Sequence, residues 1–201
     1  IGPASLRKIV ESLYKIYAGS IGFEYSYIRE SDVKEWLRNK IEKEALAFNP
    51  SIDEKKQILQ KLNEAVVFEN FLGTKYLGQK RFGLEGGEST IPALDAIINT
   101  AADLGVKEAM IGMAHRGRLN VLANIMHKSY AAIFDGFEGN IPDQIHGDGD
   151  VKYHLGYSSK HITPAGSEIS LKLAPNPSHL EAVNPVVVGF CRASADAHYD
   201  G

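Results

Sequence analysis

The chain has 201 residues, of which 44% are apolar and 23% charged, and its 22 basic and 25 acidic side chains give a net charge of −3. This composition is typical of globular domains and excludes collagen-like, disordered and disulfide-scaffold proteins. The charge balance favours neither nucleic acid nor an anionic membrane as a partner. No apolar run approaches the roughly 18–20 residues that a membrane span needs. The single cysteine, Cys191, indicates a reducing compartment.

The first eighty or so residues carry helical patterns and no candidate chemistry. Apolar side chains recur at helical spacing after Ser5 and stop at Gly19. Residues 32–35 and 51–54 have the spacing of capping boxes, in which a side-chain oxygen and a Glu three residues later bond each other's backbone amides. We interpret this half of the chain, residues 1–82, as a helical packing domain.

A glycine-rich stretch at residues 83–88 marks a change in pattern and predicts a loop. After it, a helical stripe ends at Gly105, and residues 107–114 have the apolar character of a short buried strand. A second helix follows the polar turn at residues 115–118. Helix, strand, polar turn and helix is the order of an α/β unit. We therefore predict an α/β domain over residues 83–201.

Residues 135–166 are rich in Gly, Asp, Pro and His, and we predict a long loop there, of the kind that often carries function. A strand is predicted over residues 168–174, where apolar and polar side chains alternate. A third capping box, at residues 178–181, predicts the start of the last helix.

Polar side chains follow both predicted strands, where ligands of open α/β sheets bind against helix N-termini. His115, Arg116 and Arg118 follow the first strand, and residues 176–179 follow the second. Two guanidinium groups at the start of a helix are unfavourable by about 0.3–1 kcal/mol each, which a bound anion would offset. From the residues alone, an anion site and pairing with acidic neighbours both stay open.

The seven histidines do not have the spacing of metal ligands, and we predict no metal site among them. His154 stands alone in the predicted loop. A satisfied surface histidine and a catalytic one both stay open for this position.

Four blocks of the sequence are more specific than any of these patterns. They are RFGLEGGE at residues 81–88, IGMAHRGRLNVL at 111–122, GDVKYHLG at 149–156 and NPSHLEAVNP at 176–185. In this order they closely resemble the E1 component of the 2-oxoglutarate dehydrogenase complex. The resemblance runs from end to end, and it implies that a chain beginning with Ile1 is an internal piece of a longer protein.

The resemblance implies an N-terminal helical domain followed by the first part of a thiamine diphosphate-binding α/β domain. The family uses thiamine diphosphate and Mg²⁺ to decarboxylate 2-oxoglutarate oxidatively. Its active site forms in a homodimer, and the succinyl group passes to the lipoyl domain of the E2 component, dihydrolipoyl succinyltransferase.

Site residues are implied by the same motifs. Arg116 matches the arginine that contacts thiamine diphosphate, and Ser178 and Leu180 match cofactor-contacting positions. His115 and His154 match the histidines implicated in holding the substrate's carboxylates. Clustered donors suit a dianionic substrate, and imidazole moves protons near neutral pH.

The family's metal motif has a near copy in this chain, at residues 147–149 followed by Asn176. We interpret the copy as coincidental, because polar residues rather than a buried strand precede it. The resemblance places the metal ligands, and the carboxylate that activates the aminopyrimidine, beyond residue 201. We therefore expect the chain alone to be inactive.

Three alternatives stay open. A 2-oxoadipate dehydrogenase E1 has a substrate one methylene longer, and a non-oxidative 2-oxoglutarate decarboxylase shares the substrate. The third alternative, from another class, is a non-catalytic folding or docking unit. Such a unit would need none of the metal ligands that the resemblance places beyond residue 201. The family works in the bacterial cytoplasm or, in eukaryotes, the mitochondrial matrix.

Overall fold

The structure is a computed structural model that describes residues 3–138, 154–176 and 179–198. By packing, the chain divides into two compact units, Ile1–Lys55 and Lys56–Gly201. This division does not identify inherited domains, so the domain boundary after residue 82 stays a prediction. No helix within the described residues is both long and apolar enough to cross a membrane.

Two helices, α1 (Leu6–Tyr17) and α2 (Ser31–Ala47), pack on each other in the first unit. Ser5 caps α1, and its Oγ accepts a hydrogen bond from the Lys8 amide at 3.4 Å. The Tyr17 hydroxyl donates to Glu42 Oε1 at 3.1 Å and so links the two helices.

One of the two predicted capping boxes forms. The Ser51 amide donates to Glu54 Oε2 at 2.7 Å, and the Glu54 amide donates to Ser51 Oγ at 3.2 Å. These bonds lower the pKa of Glu54. The box at residues 32–35 was a wrong prediction, because α2 already begins at Ser31 and its cap residue, Glu30, makes no side-chain cap bond.

The second unit contains three strands and the remaining helices. The described elements are α3 (Ile52–Lys75, whose first turn lies in the first unit), α4 (Thr90–Asp103), β1 (Glu108–Ile111), α5 (Arg118–Asn124), α6 (Tyr130–Glu138), β2 (Tyr157–Ile162), β3 (Glu168–Leu173) and α7 (Leu180–His198). α7 packs on β1, and α4 packs on α5 and β3. The order of elements confirms a helical N-terminal region followed by the start of an α/β domain.

The sheet has the strand order β1-β3-β2. β1 and β3 are parallel, with Ile111 opposite Leu173, whereas β2 is antiparallel to β3, with Tyr157 opposite Leu173. The carboxyl ends of β1 and β3 and the beginning of β2 therefore lie at the same edge. Both strands that the sequence predicts are present.

The prediction of a loop over residues 135–166 was wrong at both ends, where the structure has a helix and a strand. Helix α6 continues to Glu138, and β2 occupies Tyr157–Ile162. β2 escaped the sequence pattern because it is an edge strand in which Ile162 is exposed and the inward positions include Ser159 and His161. This segment is a strand because it pairs with β3, and not because of its apolar content.

The core of the second unit lies between the sheet and its helices. Ile169 and Leu171 of β3 are fully buried against Ile91 of α4 and Leu122 of α5. α7 approaches the end of β1 so closely that a Cβ at Gly112 would lie 2.6 Å from Val187. The glycine therefore permits this helix to cover the strand.

Candidate functional site

Three chain segments meet at the edge of the sheet where β1 and β3 end. The His115 turn follows β1, the His154 segment (residues 154–156) precedes β2, and residues 174–176 follow β3. The sequence pattern indicated two strand exits. The third segment arrives there because β2 runs antiparallel to its neighbour.

Arg118 holds the three segments together. Its Nη2 donates to the carbonyl oxygens of Leu155 at 3.0 Å and Ala174 at 2.7 Å, and its Nη1 donates more weakly to Met113 at 3.5 Å. The side chain is 0% exposed. Burial lowers the pKa of Arg118 to about 10, so the guanidinium stays charged at neutral pH.

The buried position of Arg118 narrows the alternatives at this turn. The sequence pattern left open whether its two guanidinium groups bind an anion or pair with acidic neighbours. Arg118 is buried and donates hydrogen bonds to backbone carbonyl groups. Of the two guanidinium groups at the turn, only that of Arg116 is therefore exposed.

Asn176 provides a second connection between the segments. Its side-chain amide donates to the Met113 carbonyl, and its backbone amide donates to the His154 carbonyl at 3.0 Å. The structure therefore brings the His154 segment beside the exits of β1 and β3. The side chain of His154 is half-buried.

His115 packs against the glycine-rich loop. Its ring lies 4.2 Å from the ring of Phe82, centroid to centroid, and the Gly117 amide donates to the Phe82 carbonyl at 2.9 Å. Gly117 has φ +73°, and a Cβ there would lie 2.5 Å from Leu84. Within the described residues, the buried Nδ1 of His115 has no hydrogen-bond partner.

Arg116 is exposed beside the same loop. Its Nη1 donates to the Gly83 carbonyl at 3.1 Å. The nearby Glu85 carboxylate bonds its own backbone amide and Arg81, which lower its pKa, and Arg116 makes a smaller contribution to the same shift. A guanidinium has five N–H donors, so this geometry leaves Arg116 suited to bind an anion.

The buried carboxylate of Glu69 supports the glycine-rich loop at residues 83–88. Glu69 Oε1 accepts hydrogen bonds from the Leu84 amide at 3.0 Å and from Asn120 Nδ2 at 3.1 Å. Arg81 donates to Glu69 Oε2 at 3.3 Å. Sequence reasoning missed these positions, although a Glu and an Asn within otherwise apolar helical stripes were the available signal.

Several predicted positions lie outside the described residues. These include Ser178, its capping box with Glu181, and the Asp148 pattern at residues 147–149. Leu180 is the first residue of α7 and is 49% exposed. Across residues 3–138, 154–176 and 179–198, no three His, Cys, Asp or Glu side chains are grouped so that they could hold a metal ion.

A cavity of about 370 Å³ lies at the opposite end of β1. It is lined by residues 105–108 and Met110 on one side and by Cys191, Ser194 and Ala195 of α7 on the other. Ser194 donates to the Glu108 carboxylate, which also accepts from Lys172 at 3.0 Å. The cavity is therefore separate from the edge where the three segments meet.

The fold and the site define a class: an α/β domain whose candidate ligand groups lie at the carboxyl edge of its sheet, on polar segments that follow or precede the strands. No family model matches the chain. Curated relatives identify it more closely.

The chain is 52% identical over 193 residues to the "Multifunctional 2-oxoglutarate metabolism enzyme" of Mycolicibacterium vanbaalenii, covering 95% of this chain and 15% of that protein. It is 52% identical over 194 residues to the "2-oxoglutarate dehydrogenase E1/E2 component" of Corynebacterium glutamicum, covering 96% and 16%. The "2-oxoglutarate dehydrogenase E1 component" of Brucella canis is 48% identical over 197 residues, covering 96% and 19%.

These relatives confirm the resemblance. The chain is homologous, over nearly its whole length, to an internal part of 2-oxoglutarate dehydrogenase E1 components. It spans less than one fifth of the length of the relatives it matches.

Proposed function

We propose that this chain supplies part of the active site of a 2-oxoglutarate dehydrogenase E1. The full-length protein would decarboxylate 2-oxoglutarate oxidatively and transfer the succinyl group to the lipoyl domain of an E2 dihydrolipoyl succinyltransferase. One structural observation supports this proposal: the His115 turn and the His154 segment, far apart in sequence, meet at the carboxyl edge of the sheet. Because the named relatives are bacterial, we propose the bacterial cytoplasm as its compartment.

Thiamine diphosphate is the proposed cofactor, and it supplies the carbanion chemistry when bound. The exposed guanidinium of Arg116 has the charge and the planar donors that a diphosphate needs. Leu180 offers an exposed apolar contact at the start of α7, and Ser178 is proposed to join it. The Mg²⁺ ligands are proposed to lie beyond residue 201, and the complete site in a homodimer.

His115 and His154 are the proposed ligands of the substrate's two carboxylates. The buried Nδ1 of His115 makes no hydrogen bond within the described residues, which suits a group that bonds a ligand. Imidazole also exchanges protons near neutral pH, so either ring suits proton transfer to or from the bound substrate.

The proposal predicts that His154→Ala in the full-length enzyme impairs substrate use far more than cofactor binding. A charge-assisted hydrogen bond is worth about 1.5–3 kcal/mol, so kcat/KM for 2-oxoglutarate should fall by about 10–150-fold. The affinity for thiamine diphosphate should change little. The measurements are steady-state reduction of an artificial acceptor and a cofactor titration.

His161→Ala is the matched control, because His161 lies on β2 towards the other edge of the sheet. It should leave kcat/KM near the wild-type value. Equal losses of substrate use and cofactor affinity in His154→Ala would refute the assigned role. Absence of any thiamine diphosphate-dependent activity in the folded, full-length wild type would refute the proposed function itself.

The names of the three relatives favour 2-oxoglutarate over 2-oxoadipate, since all three refer to the shorter acid. One methylene discriminates by about 1–3 kcal/mol, which a comparison of kcat/KM for the two acids resolves. The word "multifunctional" in the first name keeps non-oxidative decarboxylation as a second candidate. Product analysis with and without the acceptor distinguishes the two reactions.

A further inference from the structure

The backbone around the candidate site converges on one buried side chain. The carbonyl groups that Arg118 binds belong to three segments: Met113 follows β1, Leu155 precedes β2, and Ala174 follows β3. Two of these residues, Met113 and Leu155, lie within two positions of His115 and His154. A shift of the guanidinium would therefore move the backbone beside both histidines.

An arginine is well suited to this arrangement. Its guanidinium is planar, carries N–H donors in fixed directions and binds acceptors on more than one side. Hydrogen bonds from a charged donor are roughly twice as strong as neutral ones. A lysine keeps the charge but is a point donor on a flexible stem, so it does not reproduce the same three directions.

We propose that Arg118 is a positioning residue that fixes the His154 segment against the ends of β1 and β3. It thereby sets the place of His154 relative to the His115 turn. Arg118 itself is fully buried and has no exposed surface for a ligand. The catalytic consequence rests on the proposed function of the two histidines, whereas the structural role does not.

The first test is kinetic and uses Arg118→Lys in the full-length enzyme. Small misplacements of substrate-binding groups cost up to about 100-fold, so kcat/KM for 2-oxoglutarate should fall by at least about tenfold. The affinity for thiamine diphosphate should change less than about threefold, because Arg116 is held separately by the Gly83 carbonyl.

A double-mutant cycle separates positioning from general destabilisation. If Arg118 acts through His154, then Arg118→Lys should add less than about threefold to the loss already caused by His154→Ala. Arg81→Lys is the matched control. Arg81 binds the carboxylates of Glu69 and Glu85 rather than the His154 segment, so any loss it causes should combine additively with His154→Ala.

The second test does not require turnover. Hydrogen exchange of the full-length protein should be faster over residues 154–162 in Arg118→Lys than in the wild type, and unchanged over α3. If Arg118→Lys does not fold, Arg118→Gln, which keeps side-chain N–H donors and removes the buried charge, takes its place in both tests.

Non-additive kinetic losses together with faster exchange over residues 154–162 support the proposal. Fully additive losses, or unchanged exchange over residues 154–162 in the variant that folds, overturn it. A folded wild type without 2-oxoglutarate activity contradicts the proposed function instead, and the exchange data then decide the structural role alone.

Discussion

A pair of histidines away from the candidate site shares one hydrogen bond. His127 Nε2 lies 3.2 Å from His161 Nδ1, and the rings are nearly parallel, with centroids 5.4 Å apart. That separation is close to the N···N distance plus two ring radii, so the rings face each other edge to edge. His161 Nε2 lies 2.9 Å from Asn99 Oδ1, and Asn99 Nδ2 donates to Asp95. The Asn99 oxygen therefore accepts from Nε2, which leaves His161 Nδ1 to accept from His127.

We expect the pair to make the free energy of unfolding depend on pH. Burial lowers the pKa of His127, electrostatic repulsion from His161 and Lys61 lowers it further, and Asp95 and Glu64 oppose the shift. The unfolded chain, with a histidine pKa of about 6.5, then binds more protons than the folded one. The free energy of unfolding should therefore rise with pH through the window just below about 6.5, and this contribution should be lost as pH falls.

His127→Asn tests this prediction, because Asn tolerates the left-handed backbone at this position, where φ is +54°. The free energy of unfolding from urea titrations should depend less steeply on pH between about 5 and 7 than in the wild type. His161→Asn, which removes only a smaller cause of the shift, should flatten the profile less. Profiles parallel to the wild type in both variants would contradict the role of the pair.

At the scale of the helix, two pairs of residues share the spacing of a capping box, but only one pair forms the box. Ser51 and Glu54 form a reciprocal capping box at the start of α3. Asp32 has the same spacing to Glu35, but α2 begins one residue earlier, at Ser31, so Asp32 already lies in the first turn. The negative charge of Asp32 in the first turn still interacts favourably with the helix dipole. The spacing therefore indicates candidate caps, and whether a candidate forms its cap depends on the residue at which the helix begins.

Ser51→Ala should lower the free energy of unfolding by about 1 kcal/mol, because it leaves the Glu54 amide without its cap. Asp32→Ala, which removes no cap bond, should cost only a few tenths of a kcal/mol. The same bonds lower the pKa of Glu54, so its contribution is present above the unfolded pKa of about 4.3 and is lost as pH falls. Urea unfolding at neutral and acid pH measures both effects, and equal costs for the two variants would count against the box.

At the scale of the whole second unit, a buried polar network joins the core to the candidate site. Asn120 is 0% exposed and donates to the Ala65 carbonyl at 3.0 Å as well as to Glu69. It also accepts a hydrogen bond from Asn124 at 2.6 Å. Through Glu69, the same network holds the Leu84 amide of the glycine-rich loop. The position of that loop beside His115 thus depends on side chains inside the core.

Asn120→Leu should lower the free energy of unfolding by at least about 2 kcal/mol, since each buried polar group left unpaired costs about 1–3 kcal/mol. Asn70→Leu is the matched control on an exposed face of α3 and should stay within about 0.5 kcal/mol of the wild type. Chemical denaturation of both variants gives the comparison. A neutral Asn120→Leu would mean that the apolar core, and not the network, fixes these helices.

Local patterns predicted much of this fold and part of the site. Apolar periodicity placed α1, α4, β1 and β3, and four motif blocks carried the resemblance that the relatives confirm. These features are local because burial of an alternating or 3.6-residue stripe depends on nearby side chains. β2 was missed because its pattern is weak and its partner, β3, is what makes it a strand.

The sequence by itself therefore determined the homology of the chain, the helical start followed by an α/β unit, and the candidate residues His115, Arg116 and His154. The tertiary structure alone decided that Arg118 faces inward, that the His154 segment joins the strand exits, and that Glu69 and Asn120 hold the loop. The reason is physical. Hydrogen bonds between residues 37 and 56 positions apart depend on how the strands pair, and no local pattern records that pairing.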